Sequence, residues 1–389
     1  MTKRLAIITT HPIQYNAPLF ELLSSRKQLG IKVFYTWGTS VLENKYDPGF
    51  GKDIRWDIPL LEGYDFEFVK NRSSDPGSHH FNGIDNPGLI NSVRQWDADA
   101  ILIYGWSFKS HLKAMRYFHG KIPVLFRGDS TLLNEKKGAR KFIRRIFLKW
   151  VYSHVDYALF AGIQNKAYFQ CFGLTEKQLI LAPHAVDNVR FAEPDNQYTQ
   201  AAIKWKQQLG IRADQTTILY AGKLEDVKNP GFIIKLGKKL NDLPVTLILV
   251  GNGHLETELK QEVGNNPQFI FIDFQNQLNM PVVYRLGDIF ILPSKSETWG
   301  LSGNEAMASG AAIMLSEQVG SAPDLVTEGK NGIVFGLHDV DKCVAFISEL
   351  LDNNLLLNKM KLASKEKINN FSFGRIAEAI EELCSKIAH

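Results

Sequence analysis

A chain of 389 residues holds more sequence than one hydrophobic core uses, so two domains of ordinary size are expected. With 44% hydrophobic and 22% charged residues it reads as globular, and a net charge of only +4 gives no reason to expect nucleic acid as a partner. Cys171, Cys343 and Cys384 stand too far apart for a disulfide framework or zinc spacing, and no run of about 18 apolar residues occurs, so a spanning helix is excluded and a reducing cytoplasm fits.

Strands and helices alternate along the chain. The basic start and short apolar run of Lys3–Thr9 are too brief for a signal peptide and read as a first strand. A helix over Pro18–Arg26 and a strand over Ile31–Trp37 follow, then a loop-rich stretch from Gly38 to Asn86. Helix Asn86–Trp96, strand Ala100–Tyr104, helix Phe108–His119, strand Val124–Arg127 and a strongly basic helix, Gly138–Tyr152, come next. Strand Tyr157–Phe160, helix Gln164–Phe172 and the segment Leu179–Val186 close the first half. A polar stretch runs from Asn188 to Ala201, and then the pattern restarts. Strand Thr217–Tyr220, helix Pro230–Leu240, strand Thr246–Val250, helix Glu256–Val263 and strand Phe269–Phe271 lead to a helix over Pro281–Leu286. Strand Ile289–Leu292, helix Asn304–Ser309 and strand Ala312–Leu315 follow, then a turn-rich segment and helices from Val340 onward. Two such βαβ halves predict an α/β protein of two doubly wound domains facing across a cleft.

Chemistry gathers where strands of the second half end. Ser296-Glu-Thr-Trp-Gly-Leu-Ser-Gly-Asn-Glu-Ala-Met-Ala-Ser-Gly310 joins the buried strand Ile289–Leu292 to a helix, and carries Glu297 and Glu305. Ligands of open α/β sheets bind beyond the carboxyl ends of strands, and helix N-termini attract phosphate. The two carboxylates suit sugar hydroxyls; the same pattern also fits a capped helix start with Glu305 in solvent. Ala221-Gly-Lys-Leu-Glu-Asp-Val-Lys-Asn-Pro-Gly231 sets Lys223 and Lys228 five apart in a loop before a helix, where two ammonium groups neutralise a diphosphate or stand as plain surface lysines. Val250-Gly-Asn-Gly253 and Phe271-Ile-Asp-Phe-Gln275 are further strand ends with glycines or an aromatic residue.

In this order and spacing, these motifs resemble the retaining glycosyltransferases of the group 1, or family-four, type, which have two Rossmann-like domains and are described as GT-B. Ala221-Gly-Lys-Leu…Lys228-Asn-Pro, Val250-Gly-Asn-Gly253, Phe269–Phe274, Met280-Pro281…Tyr284, Asp288–Ser294 and Glu297…Glu305 carry the resemblance, which covers about Pro183 to the C-terminus. It implies an acceptor domain over 1–186, a donor domain over 187–370 and a terminal helix, 371–389, crossing back to the first domain. It implies that Lys223 and Lys228 hold the donor diphosphate beside Gly222 and Gly251, and that Glu297 faces the donor sugar. Trp299, Gly300 and Leu301 would offer backbone N–H groups, Glu305 would accept from ribose hydroxyls, and Phe274 would flank the base. Lys223 stands where the family has arginine, so the charge is kept without the bidentate fork.

The first half is less typical. His11 and Gln14, in Thr9-Thr-His-Pro-Ile-Gln-Tyr15, are candidates for the acceptor or donor phosphate, or members of a structural loop. Arg127 and Asp129 follow strand Val124–Arg127, where many relatives have histidine; Asp129 is a candidate to orient or accept the acceptor hydroxyl proton, or a helix cap. Trp106 is a candidate sugar-binding wall, or core. His184, in Pro183-His-Ala-Val-Asp187, departs from the family's Pro-Asn-Gly-Val-Asp at the expected crossover. His79-His80 shows no partner acid at useful spacing, and no metal site is expected.

The basic stretch 136–150 interleaves lysine and arginine with Phe142, Ile143, Ile146, Phe147, Leu148 and Trp150. It reads as a membrane-surface helix or as a solvated helix with its apolar side in the core. The function expected is sugar transfer, with retention, from a nucleotide diphosphate sugar to a glycan or lipid-linked acceptor in cell-surface polysaccharide or lipopolysaccharide synthesis. Neither cofactor nor metal is expected, and the location is cytoplasmic, or peripheral on the inner membrane face. A nucleotide-sugar epimerase and a non-catalytic nucleotide-sugar-binding protein are the alternatives. A nicotinamide enzyme is poorly supported, because no Gly-x-Gly-x-x-Gly follows the first strand.

Overall fold

The computed structural model describes residues 2–39, 45–47, 49, 52–54, 56–133, 135, 138–192 and 195–387. They form two units: Met1–Lys45, Ile58–His184 and Phe373–His389 in the first, Tyr46–Asp57 and Ala185–Ser372 in the second. The excursion Tyr46–Asp57 groups with the second unit; the strands β3 (Lys45–Asp47) and β4 (Lys52–Ile54), in and beside it, pair with each other.

The sheet of the first unit is built from β1 (Arg4–Thr9), β2 (Gly30–Tyr35), β5 (Asp65–Phe68), β6 (Ala100–Tyr104), β7 (Val124–Arg127), β8 (Tyr157–Phe160) and β9 (Leu179–Leu181). Their order is β5-β2-β1-β6-β7-β8-β9, and the pairs are parallel. Chain direction through the sheet therefore reverses between β1 and β6, and the strand ends at Thr9 and Tyr104 flank the switch point. β5 lies inside the stretch expected to be loop-rich. Phe66 and Phe68 alternate with acids there, a half-buried edge pattern weaker than the continuous apolar run of β1.

The second sheet comprises β10 (Thr216–Ala221), β11 (Val245–Val250), β12 (Phe269–Ile272), β13 (Ile289–Leu292), β14 (Ala312–Ser316) and β15 (Gly332–Phe335). It runs β12-β11-β10-β13-β14-β15, all parallel, which is the 3-2-1-4-5-6 arrangement of dinucleotide-binding domains. Its switch point lies between β10 and β13. β11 and β13 are buried at every position, because helices cover both faces of the sheet. Each fully buried large side chain such as Phe290 stabilises by roughly 1.5–3 kcal/mol.

β15 falls in the segment expected to be turns, and Gly332 explains its concealment. A side chain there would lie 1.7 Å from the carbonyl of Ile313, so the strand needs a residue that weakens any strand pattern. The polar stretch from Asn188 to Ala201, for which no element was expected, holds a short helix, Asn188–Phe191, and the start of a helix over Gln197–Gln208. Only Ala202 of the latter is fully buried, so its apolar signal is faint. The helix expected at Asn304 begins at Leu301.

The last helix, Phe373–Ile387, belongs to the first unit. Phe373, Ile376, Ala377, Ile380, Leu383 and Cys384 recur at helical spacing and are buried. It packs on the helix Ala17–Arg26, where the Arg26 guanidinium meets Glu381 at 2.9 Å. Among the described residues, no helix is long and apolar enough to cross a membrane.

Candidate functional site

At the switch point of the second sheet, the loops after β10 and β13 lie side by side because β10 and β13 are neighbours. Backbone bonds lace these loops together. Lys295 N–H donates to Val227 at 2.8 Å, and the Asn229 side chain, on a left-handed residue, donates to the Pro293 carbonyl at 3.1 Å. That lacing brings the Lys228 ammonium to 2.5 Å from the Glu297 carboxylate, with both side chains largely shielded from solvent. Two residues 69 apart in sequence thus share one spot.

Lys223 is fixed through its backbone: the buried Tyr220 hydroxyl donates to the Lys223 carbonyl at 2.6 Å. Burial, with Glu225 and Glu297 nearby, raises the Tyr220 pKa and keeps that donor protonated. The Lys223 side chain runs along Gly49, where an added methyl group would sit 2.6 Å from the ammonium. Gly222 and Gly251 let two strand ends meet. Gly251 has φ +131°, and a Cβ there would lie 2.1 Å from the Gly222 carbonyl; one on Gly253 would lie 2.3 Å from that of Leu224. The sequence reading of Val250-Gly-Asn-Gly253 as a plain strand end therefore understated it, since both glycines are demanded by close backbone approach.

Asn252, between them, is buried and does the positioning. Its amide donates to Glu256 at 2.8 Å and Asp273 at 3.0 Å, and its oxygen receives the Phe274 N–H at 2.9 Å, which fixes the half-buried Phe274 at the end of β12. Sequence reading passed over Asn252; its place between two glycines at a strand end was the available signal.

The Glu297–Leu301 turn is pinned to the loop after β14. Glu297 N–H donates to Gln318 at 3.2 Å, and Gly320 and Ser321 donate back to Glu297 and Trp299 at 3.0 and 3.1 Å. The Trp299 indole is buried and donates to Asn304 at 2.9 Å, so its ring is structural and only its backbone faces the turn. Gly300 begins the helix Leu301–Ala308 with φ +91°, and a Cβ there would meet Leu292 at 2.9 Å and Val319 at 3.0 Å. Glycine alone fits, and the first N–H groups of the helix then lie beside Glu297.

Glu305 is 3% exposed, and one carboxylate oxygen accepts from the Tyr284 hydroxyl at 2.6 Å. This excludes the solvated-helix reading.

The first unit's switch point is different in kind. The His11 ring stands edge-on to Trp37 with centroids 5.0 Å apart, and its Nδ1 lies 2.8 Å from the Thr10 hydroxyl. Gln14 is buried. Trp106 is partly buried against the core and packs edge-on to Phe147 at 5.5 Å. Arg127 is buried, and its guanidinium donates to the carbonyls of Ala182 at 2.9 Å and Pro183 at 3.4 Å; burial lowers its pKa. Asp129 is about half-exposed, 3.8 Å from His184 Nε2. Burial lowers the His184 pKa, while Asp129 pulls it back up. His111 went unnoticed in the sequence. It is fully buried, its Nδ1 facing the carbonyls of Tyr104 and Gly105 at 3.1 and 2.9 Å and its Nε2 the Thr36 hydroxyl at 2.8 Å. It thereby ties the ends of β2 and β6 together. Burial sets its pKa at about 4.

Elsewhere, Asp75 corrects the reading of His79-His80 as a pair without an acid: its carboxylate lies 3.3 and 3.1 Å from the two rings. Among its described side chains, the basic helix Ala139–Tyr152 places Leu148, Val151 and Tyr152 in the core and leaves Phe142, Ile143, Ile146, Phe147 and Trp150 exposed. Its apolar side is thus not confined to the core. Lys136 and Lys137 lie outside the described residues.

Residues 202–367 match the model for glycosyl transferases group 1. The D-inositol 3-phosphate glycosyltransferase of Mycolicibacterium smegmatis is 28% identical over 180 residues, covering 44% of this chain and 40% of that protein. The chain thus spans less than half the length of that relative. Among solved structures, sucrose-phosphate synthase from Thermosynechococcus elongatus superposes with a TM-score of 0.72 at 16% identity, covering 99% of this chain and 98% of that one. Anabaena Alr3699/HepE in complex with UDP-glucose gives 0.66 at 16% identity, covering 98% and 99%. The fold is the two-unit GT-B fold, and residues 202–367 resemble the group 1 glycosyltransferases.

Proposed function

We propose that the protein transfers a sugar from a nucleotide diphosphate sugar to an acceptor hydroxyl with retention of anomeric configuration, in cell-surface polysaccharide or lipopolysaccharide synthesis. The observation that carries this reading is the meeting of Lys228 and Glu297 at the switch point of a dinucleotide-type sheet, beside a glycine-started helix. Lys223, Lys228 and the N–H groups of Gly300 and Leu301 neutralise the diphosphate, taking the part a divalent cation plays in other transferases. Glu297 then exchanges its lysine contact for donor-sugar hydroxyls. Glu305 accepts from the ribose, and Phe274 flanks the base. UDP-glucose in the Anabaena neighbour makes uridine the first base to try.

The reaction breaks the bond from the anomeric carbon to the diphosphate and forms one to the acceptor oxygen on the same face. The acceptor proton passes to the leaving diphosphate. The acceptor falls to the first unit, where Asp129 orients its hydroxyl and His11, Gln14 and Trp106 supply contacts. Arg127 acts from behind by holding Ala182 and Pro183.

The acceptor is lipid-linked in this reading, and the helix Ala139–Tyr152 is what supports it. At about 100° per residue, its five exposed apolar side chains span an arc of about 140° opposite the core-facing residues. Lys149 and then Arg145 border that arc on one side. Exposed aromatic and aliphatic groups edged by cations suit an anionic bilayer surface, at about 1 kcal/mol for each base. Sedimentation with anionic vesicles, reduced in the Phe142→Glu/Ile146→Glu variant, supports this part; equal binding to zwitterionic vesicles or none at all contradicts it. Transfer itself is tested by incubating donor and glycan or lipid acceptors with chelator and reading the product anomer by NMR. Normal turnover in purified Glu297→Ala and Lys228→Ala would sink the assignment.

A further inference from the structure

The loop between β5 and the helix Leu89–Gln95 holds a group of side chains that sugar transfer does not use. We propose that Asp75, His79 and His80 bind a divalent transition metal ion of the zinc class.

The geometry is already close to that of a bound ion. Nε2 of His79 lies 3.3 Å and Nε2 of His80 3.1 Å from the same Asp75 oxygen, Oδ2. One ligand atom from each of the three residues lies within 4.8 Å of the others. A tetrahedral zinc ion with bonds of about 2.0–2.1 Å separates its ligand atoms by about 3.3–3.4 Å. Two edges of that tetrahedron are therefore nearly in place, and for the third a nitrogen of each histidine lies within 4.8 Å of the other. The histidine rings, though adjacent in sequence, converge with centroids 4.6 Å apart at 67°.

Backbone bonds made without any ion hold this arrangement. Gly77 N–H donates to Gly83, and Gly83 N–H to His80, both at 3.1 Å. A Cβ on Gly83 would sit 2.1 Å from the Gly77 carbonyl, so the loop closes on itself only with glycine there. Asn71 anchors the base: its amide donates to Gly83 at 2.9 Å, and its oxygen accepts from Ser73 and Asp85 at 3.0 and 2.9 Å. Ligands carried by a preset loop lose little entropy on binding.

Two imidazoles and one carboxylate are a zinc donor set, and three protein ligands leave a fourth position open. Magnesium and calcium, which take six or more oxygens, do not fit. The His79 and Asp75 side chains are 65% and 70% exposed, so the ion exchanges with solvent and the open position faces outward. The ion ties the loop at the carboxyl end of β5. The site is separate from Lys228 and Glu297 and does not rest on the transferase reading.

The experiment uses the full chain without an affinity tag, stripped by chelator and titrated with zinc chloride or magnesium chloride by calorimetry and thermal unfolding. Cobalt(II) absorption is recorded in parallel. We expect one zinc per chain, a rise in unfolding temperature and the visible bands of four-coordinate cobalt. In His79→Ala/His80→Ala and in Asp75→Asn, zinc binding should weaken at least tenfold, whereas Lys228→Ala should bind zinc normally. No stoichiometric binding, binding kept in the double variant, or an equal response to magnesium would each overturn the proposal. Asp75 and His79 are exposed and His80 partly so, so the variants should fold, and their unfolding without metal checks it.

Discussion

The two units use one sheet plan and put opposite chemistry at its switch point. Both sheets reverse direction beside their first strand, at Thr9 and Tyr104 in one and at Ala221 and Leu292 in the other. The second unit fills that place with Lys223, Lys228 and Glu297 on loops laced by backbone bonds. The first fills it with His11, Trp37, the neutral, buried His111 and the backbone it ties. The fold thus selects where a ligand sits, and the loop residues select which ligand. Charge at the second switch point suits a diphosphate sugar; rings and neutral donors at the first suit an acceptor glycan.

The sharpest way to break the contrast is to remove charge from the second switch point. Glu297→Ala and Lys228→Ala should each lower kcat/KM by about 10²–10³-fold, the scale of a lost transition-state contact. Stability should fall by about 1–3 kcal/mol, because removing one partner leaves the other charge largely shielded and unpaired. Turnover and thermal unfolding of the same samples separate the two effects.

In the first unit, the largest effect should be on pH-dependent stability. His111 has a folded pKa of about 4 against 6.5 unfolded. Between those values the unfolded chain binds a proton that the folded chain refuses, so stability falls as pH drops from about 6.5 to 4. Above 6.5 the histidine contributes no pH dependence. The slope is about 1.4 kcal/mol per pH unit, or about 3 kcal/mol across the window. Unfolding curves of His111→Gln between pH 7 and 4 should lack that slope.

Smaller effects sharpen the division of labour. Glu305→Gln should weaken nucleoside diphosphate binding about tenfold, or about 1.4 kcal/mol, by calorimetry. Asp129→Asn should impair transfer severalfold, with acceptor KM or kcat affected and donor affinity unchanged. A loss of donor affinity in Asp129→Asn would erase the contrast between the units.

How much of this was legible in sequence depends on how burial writes itself. Strands covered on both faces, such as β11 and β13, are continuous apolar runs and were readable to within a residue. β5, half-buried at an edge, and β15, opened by the obligatory Gly332, gave no such run. The candidate donor-site residues were legible because strand-end loops keep them in ordered motifs. The pairing of Lys228 with Glu297 was not, since it depends on β10 and β13 being neighbours although β11 and β12 intervene in sequence. His111 was hidden for a related reason: its partners come from the ends of β2 and β6, and nothing local marks a histidine that a fold buries. Asp75 was missed although it lies only four residues before His79, because the turn that folds it back rests on Gly77 and Gly83.

The central claim is that the second unit's switch point binds a nucleoside diphosphate through Lys228 and Glu305 without metal. The direct measurement is calorimetric titration of the chelator-treated protein with a panel of nucleoside diphosphates, repeated with Lys228→Ala and Glu305→Ala. The account predicts one preferred nucleotide, bound at one site per chain and lost or strongly weakened in both variants. A folded protein that binds none of them, or binds equally well in both variants, would contradict it.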